Sequence, residues 1–165
     1  MEKVQKLYRH PLYRECLEKN KKAEETRIFC KHGMEHFMDV ARIAYILSVD
    51  RAYAVSKEII YAAALLHDIG KYVNLNDPGK NGYQLIISTE IMGLSHRERE
   101  EVANIVLYNT QELPDTDELD TAFWREEYLR IAKLSSILRL ANALDRGHKQ
   151  KLEKCSMARK GKELI

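Results

Sequence analysis

Apolar residues recur along this chain at the helical period, and that pattern leaves little room for any fold but a bundle of helices. Val40, Ile43, Ala44 and Leu47 follow the i, i+3, i+4, i+7 spacing, which predicts an amphipathic helix over about 32–48, with His36 one turn earlier on the same stripe. Ile59, Ile60, Ala63, Leu66 and His67 share one broad face of a second helix over about 55–68, and Gly70 supplies its stop. His67 and Asp68 therefore sit at a helix end. With seven Gly and three Pro in 165 residues, the chain has too few turn formers for an all-β fold, and its length suits a single domain.

The rest of the chain continues the pattern with interruptions. From Lys71 to Gly82 the stretch KYVNLNDPGKNG is dense in turn formers and predicts a long loop, followed by a short helix over about 83–91. Ser95-His96-Arg97-Glu98 is a capping box, opening a helix whose apolar face holds Val102, Ile105, Val106 and, unexpectedly, Asn109. After the acidic loop QELPDTDELD, a long helix over about 124–145 places Ile131, Leu134, Leu138 and Ala141 on one stripe, which Asn142 and Asp145 continue. The expected organisation is an N-terminal helical extension over 1–26, one helical domain over 27–149 and a basic, weakly periodic tail over 150–165.

Charge narrows the partners. Lys and Arg number 27 against 25 Asp and Glu, a formal net charge of +2, which argues against an acidic disordered chain and against a globally basic protein, so no specific nucleic acid is expected. Cys16, Cys30 and Cys155 are far apart and form no CxxC pair, reading as reduced thiols. The longest apolar run, Ile59 to Leu66, is far short of the ~20 residues that span a bilayer. A soluble, cytoplasmic protein with no membrane partner is the expectation.

Ionisable and amide side chains occupy positions where the helical period predicts burial: His36, His67, Asp68, Asn109, Asn142 and Asp145. Burying one such group without a partner costs roughly 1–3 kcal/mol or more, so a set of them must satisfy one another or share a ligand. A lone His on an apolar face is ordinarily a hydrogen-bonded core residue, and a lone His-Asp dipeptide carries little information. Together, His36, the pentad HDIGK at 67–71 and a polar pair on a late helix have the order and separation of a helical metal pocket. Imidazole nitrogen with carboxylate oxygen suits a first-row divalent ion such as Mn, Fe, Ni or Zn.

On the residues HFMDVARIAYIL, AAALLHDIGKYVN and LRLANALDRGH, the chain resembles the HD-domain superfamily. These are all-α, mostly metal-dependent phosphohydrolases whose pattern is a His, then a His-Asp pair, then a distant Asp. Residues 27–70 resemble small stand-alone bacterial HD proteins. Residues 61–151 are similar to the HD domain of exopolyphosphatase and guanosine pentaphosphate phosphatase proteins, where phosphoanhydride chemistry belongs to a separate actin-like domain. Those proteins continue into a short β-rich segment, whereas this chain ends at Gly161-Lys162-Glu163-Leu164-Ile165.

The resemblance implies a single HD-domain-like helical bundle, with His36, His67, Asp68 and Asn142 holding one divalent ion (Mn, Fe, Ni, Zn or Mg). In such a pocket Asp68 and Lys71 would be the catalytic pair, Lys71 a cation at the pocket mouth that neutralises phosphate charge, with Arg139, Arg146 and Lys80 as weaker substrate-binding candidates. His32, Asn109 and Asp145 would orient the ligands, Asp145 by contact with neighbours or by pairing with Arg139 or Arg146. The last ligand of the pattern is Asp, whereas this chain has Asn142, so metal affinity should be weakened and occupancy is left open. The implied activity is a mononuclear phosphohydrolase acting on a nucleotide or other phosphoester or phosphoanhydride. The alternative is a non-catalytic module that binds a nucleotide, polyphosphate or a protein partner, and a homodimer is compatible with either.

Overall fold

The structure is a computed structural model that describes residues 1–25, 33–50, 55–90, 93–114, 122–146, 159–160 and 163–164. Among these, helices α1 (Glu2–Arg9), α2 (Pro11–Ala23), α3 (Met34–Asp50), α4 (Lys57–Leu66), α5 (Pro78–Ser88), α6 (His96–Tyr108) and α7 (Ala122–Leu144) follow one another in sequence. The architecture is all-α, as the apolar periodicity requires. One minimal β element accompanies it: β1 (Arg159–Lys160) pairs antiparallel with β2 (Glu163–Leu164), Lys160 opposite Glu163. The segment read as a basic, weakly periodic tail thus carries a short strand pair, because strands of two residues leave no periodicity to read.

The apolar run becomes the centre of the bundle. Every residue of α4 from Ile59 to Leu66 is buried, which marks a helix surrounded on all sides. Helix α3 packs on α4 and α7, α6 packs on α4, α5 and α7, and α1 lies against α4. The N-terminal helices share this core, since Val4, Leu7, Tyr13 and Cys16 are buried with Phe37, Val40, Leu47, Ile105 and Leu138. A main-chain turn at His10 joins α1 to α2, whose first residue is Pro11, suited to a position where no intrahelical donor is needed. No described helix is long and apolar enough to cross a membrane.

One sequence expectation fails in an instructive way. The predicted loop over 71–82 is cut short, because α5 begins at Pro78 with Asp77 as its cap, the carboxylate accepting from the Lys80 N–H. Gly79 and Gly82 are packing residues rather than breakers. A Cβ on Gly79 would come within 2.8 Å of the Leu107 carbonyl and one on Gly82 within 2.9 Å of Val106, so both glycines let α5 lie close on α6. Elsewhere the local signals hold: Ser95 and Glu98 form the reciprocal capping box at the start of α6.

Candidate metal centre

The central helix delivers the site. Helix α4 ends at Leu66, and His67 at its C-cap, with φ −59° and ψ −26°, continues the helical path into a series of turns over 67–73. The imidazole is wholly buried. Its Nδ1–H donates to the Ala64 carbonyl at 2.7 Å, one of the last-turn carbonyls that a helix leaves without an intrahelical donor. That bond fixes the tautomer and puts the lone pair on Nε2, which is buried with no hydrogen-bond partner among the described residues. Asp68 Oδ2 lies 3.3 Å from it.

Helix α3 brings the second imidazole. His36 Nδ1 donates to Asp145 Oδ2 at 2.7 Å, and both side chains are buried. The two imidazole rings meet edge to face with centroids 5.5 Å apart, and Phe37 packs edge to face on His67 at 5.4 Å. One ligand atom each from His36, His67 and Asp68 falls within 4.8 Å of the others, and all three residues are buried. Two ring nitrogens and a carboxylate oxygen at that separation fit a borderline divalent ion, for which ligand bonds run about 2.0–2.2 Å.

Electrostatics keep Asp68 anionic. Burial pushes its carboxyl up, but a protonated His67 and the Lys71 ammonium outweigh burial and hold it well below the usual carboxylate range; with the His67 ring neutral, the Lys71 ammonium is the cation that remains beside it. Lys71 Nζ donates to Asp68 Oδ2 at 2.5 Å and lies 3.9 Å from Glu24 Oε1, so this lysine, read from sequence as a free cation at the pocket mouth, is held between two buried carboxylates. Glu24 also lines a cleft of about 760 Å³ with Tyr8, Arg14, Lys21 and Met34.

The remaining sequence candidates divide. Asp145, just past the end of α7, reaches the site through His36, whereas Asn142 one turn earlier is half-buried. Asn109 is the buried C-cap of α6, and its Oδ1 has no hydrogen-bond partner among the described residues. Arg139, Arg146 and Lys80 are exposed. His32 lies outside the described residues. Sequence reasoning missed Asn20 and Glu24, both buried at the C-terminal end of α2; Asn20 Nδ2 donates to the Asp68 carbonyl at 2.9 Å. A signal existed, because Tyr13, Cys16 and Asn20 fall at i, i+3, i+7, an apolar stripe with an amide at its end.

Comparison with known proteins places the chain. A family model described as Ppx/GppA phosphatase, domain III, matches residues 42–164. An uncharacterized protein of Clostridium beijerinckii (strain ATCC 51743 / NCIMB 8052) is 54% identical over 55 residues, which are 33% of this chain and 35% of that relative. The matched segment thus spans about a third of the relative's length.

Proposed function

Since the chain belongs to the Ppx/GppA phosphatase domain III family, we propose that it is an HD-type, mononuclear metal-dependent phosphohydrolase acting on a nucleotide or other phosphoester or phosphoanhydride. The observation that carries this reading is the buried convergence of His36, His67 and Asp68 ligand atoms within 4.8 Å. His67 supports it further, since its bond to Ala64 leaves a buried Nε2 lone pair 3.3 Å from Asp68 Oδ2, with no hydrogen-bond donor to it among the described residues. Asn142 would be a fourth, neutral ligand. The chemistry a divalent ion supplies when bound there is acidification of a water and polarisation of a phosphoryl oxygen.

The chain's own residues have definite tasks in that reaction. Asp145 holds the His36 ring through Nδ1, as Ala64 holds His67, so both imidazoles are oriented before any ligand arrives. Asp68 contributes the anionic oxygen. Lys71 supplies positive charge beside it to offset the charge of a phosphate. Hydrolysis adds water across the bond: an oxygen–phosphorus bond forms, the bond to the leaving oxygen breaks, and that oxygen takes up a proton.

Metal content of protein purified without chelators, measured with Mn-dependent hydrolysis of a generic phosphoester, tests the proposal. About one ion per chain and activity lost in both His67→Ala and Asp68→Ala, with helical content kept, are expected. No ion and no activity in the wild type would favour the second reading, a module that binds nucleotide, polyphosphate or a protein partner. That reading is favoured by one observation: the position expected to complete the ligand set carries the neutral amide of Asn142 on a half-buried site.

A further inference from the structure

The family match begins at residue 42, yet the side chains that grip the His67-Asp68 turn come from α2. Cys16, Asn20 and Glu24 are spaced four apart and therefore share one face of the helix path. That face lies along residues 68–72. Cys16 Sγ is 3.7 Å from the Tyr72 hydroxyl, Lys19 Nζ sits 5.1 Å from the Tyr72 ring centroid, Asn20 Nδ2 donates to the Asp68 carbonyl at 2.9 Å, and Glu24 Oε1 is 3.9 Å from Lys71 Nζ. The turn so held contains one expected ligand and the cation beside it.

We infer that Asn20 and Glu24 are positioning residues of the site, Asn20 fixing the direction of Asp68 and Glu24 that of Lys71, an inference that rests on the metal-dependent reading above. The Asp68 carbonyl follows the end of α4 and accepts from the Lys71 N–H at 3.1 Å; the second bond, from Asn20, uses its remaining lone pair and pins the peptide from outside the turn. The Asp68 side chain leaves from that pinned residue, so its oxygen is aimed before a ligand arrives. Glu24 acts one step later. Once the Asp68 charge is shared with a divalent ion, a second buried carboxylate is needed to retain the Lys71 ammonium beside the turn, and Glu24, 3.9 Å from it, is that carboxylate.

Mn(II) titration by calorimetry, with site-resolved amide exchange on the full chain, distinguishes positioning from plain packing. Glu24→Gln keeps the shape and removes the charge; Mn(II) affinity should fall about tenfold, the scale of outer-residue effects at metal sites. Placed in a Lys71→Met background, the same substitution should change affinity hardly at all, because Glu24 acts through Lys71. Asn20→Ala should weaken Mn(II) by a similar factor and speed exchange at the Ile69, Lys71 and Val73 amides, which bond to Leu66, Asp68 and Gly70 carbonyls. Exchange in α6 should stay as it was.

Wild-type affinity in both single variants, or an undiminished Glu24→Gln effect in the Lys71→Met background, would overturn the positioning roles. A wild type that takes up no Mn(II) overturns the metal reading instead. The exchange arm still decides in that case, since unchanged rates at residues 69–73 in Asn20→Ala would show that α2 does not hold the turn.

Discussion

His36 Nδ1 and Asp145 Oδ2 are 2.7 Å apart across 109 residues of sequence, and this buried bond ties α3 to the end of α7. It does two jobs with one proton. Held on Nδ1, the proton leaves the lone pair on Nε2, and the carboxylate raises the basicity of that nitrogen. Asp145→Asn keeps the size and loses the charge. Calorimetric Mn(II) affinity should fall by roughly 10–100-fold in that variant, as for other carboxylates that orient a ligating histidine. Unchanged affinity would make the pair a structural core contact.

Close backbone approach makes Gly70 hard to replace. A Cβ there would lie 2.4 Å from both Gly82 N and the Pro78 carbonyl, main-chain atoms that cannot swing aside, whereas a Cβ on Gly33 meets nothing within 4 Å. Gly70→Ala should therefore cost at least the ~1–3 kcal/mol typical of overpacking, and Gly33→Ala should be close to neutral. Urea denaturation of both variants checks the contrast. A Gly70→Ala protein as stable as the wild type would mean that the α5 start is not seated against this turn.

The Glu101–Arg130 pair provides a pH test away from the site. Burial, only partly offset by the Arg130 guanidinium at 2.8 Å, pushes the Glu101 carboxyl above its ordinary value of 4.5. A raised carboxyl means that the folded state holds the proton more tightly than the unfolded chain. Its contribution to stability is thus fully present below the unfolded value and is lost as pH rises through the folded one. Glu101→Gln, which keeps the shape without the charge, should melt above the wild type at pH 7.5, and the gap should close by pH 4. Parallel thermal melts across that range give the answer; a gap that widens on acidification would reverse the sign and sink the argument.

What could be read from sequence follows the physics of each signal. His36, His67 and Asp145 were legible because each is a polar residue on an apolar helical stripe, a pattern that needs an explanation wherever it occurs. The partner of Asp145 was not, since nothing local specifies a contact 109 residues away. Asn20 left a trace at the end of the Tyr13–Cys16 stripe, but Glu24 was hidden by composition. Helix α2 reads as a solvated Lys- and Glu-rich segment, and only its fold against residues 68–72 makes two of its polar side chains buried. The start of α5 was lost for the opposite reason, because Gly79 and Gly82 signal a loop when no facing helix is known and close packing once α6 is in place.

Asn142 decides between the two functional readings. It stands half-buried on α7, one turn before Asp145 and at the position where the resemblance expects an anionic ligand. Ligand charge is a principal determinant of affinity for a hard or borderline divalent ion. If the pocket is otherwise built for metal, Asn142→Asp should tighten Mn(II) and raise hydrolysis of a generic phosphoester. If the pocket serves only to bind, the new carboxylate near Asp145 adds like charge with nothing to offset it, so the metal-free protein should melt lower and gain no activity. Calorimetric titration of Mn(II) into both proteins, with a thermal melt of each metal-free form, separates the two. We expect the mutant to bind more tightly. Unchanged affinity with a lower melting temperature would overturn the hydrolase reading in favour of the binding module.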